Sequence, residues 1–408
     1  MPELVINVSS IISSLCYSLI RVEPFTTCPH GCLYCYARWY RRSDSSIVKP
    51  RAIALKEFKR FAQIVYRKGV KPIPARLSTL VDPFPPHEEL YLFTLKVLEV
   101  ALDLEYPLIV NTKSVIIARD PWRKALLELG NRGLLVLQMS IPCIDSSYAR
   151  RIEPAVASPL ERLRVLKIFS DAGVPTIVRL SPFIPSVSLR PSPHEVAATL
   201  KEYGVHQVIV ESIRVEHDRN DLIELLGLKG TELEGYSLRE ISGLKPVVRP
   251  ALRVRVNAYK LLANALRKEG IKFAICKEGM YRLWTANNCC GMDMLRTDIV
   301  YRVTLREVYD VVMRMGGRAR VEDVIKAIEK YDNRYLFGNK WKCYPYPVSK
   351  MMRYHDKRLL RTLRDRQLLS HVCPDLYIED DFIIINNTYL AVASRATDKV
   401  PSFAEERR

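Results

Sequence analysis

The sequence predicts an α/β protein: a partial (β/α)6 TIM-like barrel over residues 1–300 and a winged-helix-like domain over residues 301–408. Two observations point to the barrel. Short β-branched runs alternate with amphipathic stretches, the pattern of a parallel sheet with crossover helices. Six such units follow one another, which suits a partial barrel better than a doubly wound sheet. A third observation marks the second domain: from about Val303 the alternation gives way to helical stretches and a terminal hairpin.

In chain order, the runs predict strands at Tyr17–Val22, Arg76–Val81, Leu108–Thr112, Leu134–Ser140, Thr176–Ser181 and Gln207–Glu211. Between them, "PHEELYLFTLKVLEVALDL" and "SPLERLRVLKIFSDAG" repeat apolar residues every three or four positions, as one buried helix face requires. The second ends in glycine just after Ala172, a helix stop. An irregular, charged stretch from Arg214 to Pro250 precedes a strong helix, "ALRVRVNAYKLLANALRKEG". In the C-terminal part, "TLREVYDVVMRMGG", "RVEDVIKAIEKY" and "VSKMMRYHDKRLLRTLRDRQLL" read as helices and "LYIEDDFIIINNTYLAV" as a hairpin. Three helices and a hairpin are what a winged-helix domain supplies. The last residues, "DKVPSFAEERR", read as a frayed tail.

With 408 residues, 48% of them hydrophobic, the chain can fill a large core and a smaller one. Its first residues lack the basic flank, apolar run and small-residue site of a signal peptide, and no apolar stretch is long enough to span a membrane. A cytosolic protein with no membrane partner is expected. In a reducing compartment ten cysteines are not a disulfide framework, and clustered ones point to metal ligation or thiol chemistry. The net charge of +18 favours a polyanionic partner.

The cysteines of "TTCPHGCLYCYARW" bear directly on function. Cys28, Cys32 and Cys35 have the spacing C-x3-C-x2-C, with Cys16 one strand away. Structural zinc takes four ligands, often from two C-x2-C knuckles, and no second knuckle stands nearby. Three thiolates on one loop suit three corners of a [4Fe-4S] cube and leave the fourth iron open. The loop follows the first strand, which in a β/α barrel is the C-terminal face where active sites form.

These residues resemble the signature of the radical S-adenosylmethionine (SAM) superfamily. "CPHGCLYCYAR", with His30 and Tyr36-Ala37-Arg38, is similar to the branch containing spore photoproduct lyase. So are "STLVDPFPPHEE" from Ser78 to Glu89 and the triplet Thr112-Lys113-Ser114, with Arg119 and Asp120 downstream. Glu153-Pro154 followed by Ser158, Pro159, Arg162 and Leu163, then Pro182 to Pro185, continue the likeness in order. The resemblance implies a [4Fe-4S] cluster on Cys28, Cys32 and Cys35, SAM bound to the open iron, and an external electron donor. Reductive cleavage then gives a 5′-deoxyadenosyl radical that takes hydrogen from substrate. Such a zwitterionic, ribose-bearing ligand needs polar partners, and strand-end residues are the expected SAM contacts: Asp82 for the ammonium or ribose and Lys113 for the carboxylate, both in the matching motifs, with Ser78, Thr79, Ser140 and Glu153 for the ribose. His30 faces either a cluster sulfide or solvent. The lyase of this branch carries a catalytic cysteine before its aspartate where this chain has Ser78-Thr79-Leu80-Val81, which argues against repair of the spore-specific thymine dimer.

Cys276, Cys289 and Cys290 form a second group, read as structural or substrate-facing in preference to a second cluster, which would need a fourth ligand such as Cys343. Between Lys340 and Arg366 nine Lys or Arg face two acids, interleaved with Trp341, Tyr344, Tyr346 and Tyr354. Arg353, Lys357, Arg361 and Arg364 recur at helical spacing and can share one face toward phosphates. The expected substrate is therefore a nucleic acid, repaired or base-modified. The alternatives are a peptide or small metabolite, or a non-catalytic redox regulator that binds nucleic acid.

Overall fold

The structure, a computed structural model, describes residues 3–9, 11–40, 47–236, 246–346 and 348–390. The tail beyond Leu390 lies outside the described residues. Six parallel strands follow in chain order: β1 (Ile20–Val22), β2 (Ala75–Leu77), β3 (Leu108–Thr112), β4 (Leu135–Ile141), β5 (Thr176–Phe183) and β6 (Gln207–Ser212). Val22 pairs with Leu77 and Leu77 with Val110, so the first strands end level and their following loops share one rim. The helices between them carry clear start signals. Pro159–Asp171, for instance, begins with Ser158 and Glu161 capping each other's backbone N–H and with proline in the first turn.

The charged stretch after β6 is not irregular throughout. It holds β7 (Val215–Glu216), β8 (Leu233–Tyr236) and β9 (Val247–Pro250), an antiparallel sheet ordered β7-β9-β8. After the Leu252–Lys268 helix, β10 (Lys272–Ile275) joins the main sheet parallel to β6, so seven strands stand where six were predicted. Four residues directly behind a helix-ending glycine give too little periodicity to reveal a strand. The first strand is shorter than predicted: its pairing with β2 begins at Ile20, and just before it Leu19 O accepts from Ile6 N at 2.8 Å.

Side chains alternate across each strand. One set packs on the helices; the other lines the barrel. Nearest the N-terminal ends of the strands, Ile109, Val136, Ile177, Ile209 and Ala274 meet a plug made by Cys289, Cys290, Met292, Leu295 and Ile299. Above this layer the interior turns polar, with Arg76, Gln138, Arg179 and Glu211 all buried. An apolar floor under a polar upper storey places the chemistry at the C-terminal rim.

The C-terminal part has its own core, including Leu305, Val308, Val324, Ile328, Leu359, Leu369 and Ile383. Its helices are Leu305–Arg314, Val321–Glu329, Val348–Thr362 and Arg366–Val372, one short helix more than predicted. Two short strands, β11 (Tyr301–Arg302) and β13 (Tyr335–Leu336), pair parallel. Between them in sequence, β12 (Arg318–Arg320) joins the hairpin of β14 (Leu376–Glu379) and β15 (Phe382–Ile385) in a sheet ordered β12-β15-β14.

This part packs across the open side of the barrel between β1 and β10. Tyr17 donates to Glu307 at 2.6 Å, Ser14 and Thr362 share a hydrogen bond of 2.7 Å, and Gly279 N donates to Val372 O at 3.0 Å. Among the described residues no helix is long and apolar enough to cross a membrane.

Candidate functional site

The loop after β1 carries Cys28, Cys32 and Cys35, all half-buried and none in a disulfide. Gly31, at φ +61°, turns the chain between the first two in a backbone region that residues with a Cβ avoid. The tail of the loop is anchored: Tyr36 OH donates to Thr79 O at 2.7 Å, and Arg38 and Trp39 both donate to Glu216 of β7 at 2.7 Å. These contacts give the Tyr36-Ala37-Arg38 stretch a structural task.

Burial, with Asp82 adding to it, pushes the Cys28 thiol up to about 12; burial pushes Cys32 up to about 11 although Lys113 opposes it. Such thiols become ligands when a metal displaces their protons. Among the described residues no three His, Cys, Asp or Glu side chains gather as ligands of one metal ion. A cube gives each thiolate its own iron, and three free thiols on one loop fit the three protein-held corners of a [4Fe-4S] cluster.

Around the loop the strand ends form a belt of buried polar groups. Glu23, directly after β1, accepts from Ser78 Oγ, Thr79 N and Oγ1, and Leu80 N. Ser78 and Thr79, expected as SAM contacts, thus have their hydroxyls on a carboxylate. Asp82 is saturated as well: it accepts from Phe84 N at 2.9 Å, Thr112 Oγ1 at 2.7 Å and Lys113 N at 2.7 Å, and His30 Nε2 stands 3.2 Å away. Burial works to raise the Asp82 carboxyl, and His30 with these backbone donors brings it below its ordinary value. His30 is buried, not solvent-facing, and its Nδ1 has no hydrogen-bond partner among the described residues.

Glu153 is the centre of a third group. It accepts from Tyr34 OH, Lys113 Nζ and Arg162 Nη2 and is 1% exposed. Burial alone would raise its carboxyl, but Lys113 and Arg162 hold it down at about 2. Lys113 also donates to Tyr34 OH at 2.7 Å, which ties this group to the residue between Cys32 and Cys35. Arg162 reaches Ser140 O at 2.6 Å, and Ser140 Oγ donates to Asn111 at 3.0 Å. The structure therefore brings Asp82, Lys113, Ser140 and Glu153 to one rim with the cysteine loop. Sequence reasoning missed Glu23, although an acid closing the run "IRVE" was a usable sign of a strand-end carboxylate.

Opposite this belt, Glu211 accepts from Arg179 at 3.1 Å, Arg214 at 2.9 Å and Lys277 at 2.7 Å. All four are at least mostly buried, with side-chain exposures of 15% or less. Cys276 lies beside them, 3.8 Å from Arg179 Nη2. Lower in the barrel, Cys290 Sγ lies 3.6 Å from Arg76, 3.7 Å from Ser18 and 3.9 Å from Cys289 Sγ. The contact from Cys289, helped by Arg76 and Arg179 against burial, lowers Cys290 below the usual thiol value, while Cys289 is raised well above it. Cys343 is exposed, its thiol on Lys340 O, so it does not supply a fourth ligand to this group. Tyr344, expected as a stacking residue, is buried with its hydroxyl on Lys71 O at 2.6 Å.

Residues 22–191 match the family model of the Radical SAM superfamily. An uncharacterized protein of Acidianus two-tailed virus, ORF301, is 26% identical over 212 residues, covering 49% of this chain and 68% of that protein. Among solved structures, a spore photoproduct lyase mutant superposes with a TM-score of 0.47 at 16% identity, covering 66% of this chain and 81% of the other. Streptococcus suis SuiB bound to S-adenosylmethionine gives a TM-score of 0.33 at 14% identity, covering 51% and 42%.

Proposed function

From a chain that carries a radical SAM domain over residues 22–191, and so is a radical SAM enzyme, we propose an activity on nucleic acid, as base modification or lyase-like repair. When bound, the cluster and SAM supply a one-electron cleavage of the sulfonium and hydrogen abstraction from substrate. Cys28, Cys32 and Cys35 would hold the cluster. Lys113, whose ammonium stands beside Tyr34 in the cysteine loop, is the residue we assign to the SAM carboxylate, and Ser140 with Asn111 offers polar contacts for the ribose. Ser78, Thr79, Asp82 and Glu153 act one step back: they fix Glu23, His30 and Lys113 in place.

The observation that carries the substrate reading is the charge at the rim opposite this belt. Three cations share a single carboxylate, Glu211, in a buried setting. Buried charge is costly without a partner, so the surplus favours an anionic group of substrate there. A phosphodiester supplies it, in keeping with the net charge of +18.

The test adds single-stranded DNA, duplex DNA, tRNA or peptides to the reduced, cluster-loaded protein with SAM and measures 5′-deoxyadenosine. A nucleic acid is expected to raise the rate, with a stimulation that falls steeply with added salt as released counterions compete. Stimulation by peptides alone would overturn the reading.

A further inference from the structure

Beside the barrel, the C-terminal part carries an open groove of about 730 Å³ lined by Trp341, Lys342, Tyr346, Lys350, Arg353, Tyr354 and Lys357, among others. Its composition is unusual for a free surface. Tyr346 is 69% exposed and Tyr354 43%, and large exposed aromatics lining one groove mark interaction sites more often than plain surface. Each carries a cation over its ring: Lys350 stands 5.7 Å from the Tyr346 centroid and Lys357 5.9 Å from that of Tyr354. Trp341 forms a fixed wall, because its Nε1 donates to the buried Asp356 at 2.7 Å. Among the described residues no acidic side chain lines the groove.

We infer that this groove docks single-stranded nucleic acid, with unpaired bases on Tyr346 and Tyr354 and the backbone phosphates on Lys342, Lys350, Arg353 and Lys357. Charge complementarity selects a polyanion, and exposed ring faces select unpaired bases over a duplex, whose bases are already stacked on each other. The groove is separate from the reaction rim. Cys343 and Tyr344 in its wall segment meet Lys68 and Lys71, which precede β2 and lie at the end of the barrel opposite the cysteine loop. A strand held there runs along the outside of the barrel as a docking site for a long substrate. The inference rests on the nucleic-acid reading above and deepens it.

The test is fluorescence anisotropy of the full-length, cluster-loaded protein with labelled oligo(dT) and with a duplex as probes. Oligo(dT) is expected to bind more tightly than duplex, with a log–log salt slope of about −3 if four cations each meet a phosphate. The double variant Tyr346→Ala/Tyr354→Ala should lose affinity about tenfold or more, and Arg353→Glu/Lys357→Glu at least as much. All four side chains are exposed, and unchanged circular dichroism and iron content would show that the variants fold. Affinity for oligo(dT) that is absent, unchanged in both variants, or no greater than for duplex would overturn the groove. The two readings fail separately: if nucleic acid raises 5′-deoxyadenosine formation but the groove variants bind normally, only the groove falls. Groove-dependent binding with no nucleic acid raising turnover removes only the substrate reading.

Discussion

Replacing Cys32 by alanine is expected to abolish 5′-deoxyadenosine formation and to leave reconstituted protein without the visible absorbance of an iron–sulfur cluster. The expected effect is total because the three thiols of one loop are the proposed ligand set: none of them is in a disulfide, and the second cysteine group lies in the barrel interior and plug. A cube held at two corners exposes two irons and falls apart in solution. Cys276→Ala gives the contrast. Its thiol meets Arg179 rather than the loop, so the cluster should load normally. Equal cluster content in wild type and the Cys32→Ala variant would show that the loop is not the ligand set.

The second large effect belongs to Glu153. The Glu153→Gln change keeps the shape but leaves Lys113 and Arg162 with no carboxylate between them, and Arg162 is fully buried. Breaking a buried ion pair from one side costs about 3–5 kcal/mol. Denaturant unfolding at neutral pH should show a loss of that order, together with slower turnover because Lys113 is no longer held beside Tyr34. The pH dependence follows from the sign of the shift. Glu153 sits at about 2 in the fold against 4.5 for an ordinary glutamate. Its stabilisation is therefore present above about pH 4.5 and is lost as pH falls toward 2, a difference worth about 3 kcal/mol. In cluster-free protein, since acid dissolves the cluster, the wild type should lose stability over that interval more steeply than Glu153→Gln. Parallel acid curves for the two would mean that Glu153 is not charged and paired as described.

The cysteine loop was legible in the sequence because its three cysteines lie close together in the chain. Strand ends were legible too, since β-branched runs mark the strands and a parallel sheet lines up the residues that follow them. What could not be read was which polar group holds which. Ser78 and Thr79 looked like ligand contacts, but Glu23, more than fifty residues earlier, takes both hydroxyls once β1 and β2 pair. The same holds for Cys16, which reaches the environment of Cys276 and Cys290 only through closure of the barrel. Tyr344 shared a basic, aromatic stretch with Tyr346, yet packing against the turn at Lys71 buries one and leaves the other exposed. Residue type and spacing carried the chemistry; the pairing of buried charges came from tertiary contacts between distant segments.

The central claim, a site-differentiated cluster that takes SAM at its open iron, is tested most directly by electron paramagnetic resonance of the reduced, reconstituted protein before and after SAM is added. The account predicts about four irons per chain in one cluster whose signal changes when SAM binds. A signal that SAM leaves unchanged, with the same iron content, would contradict it.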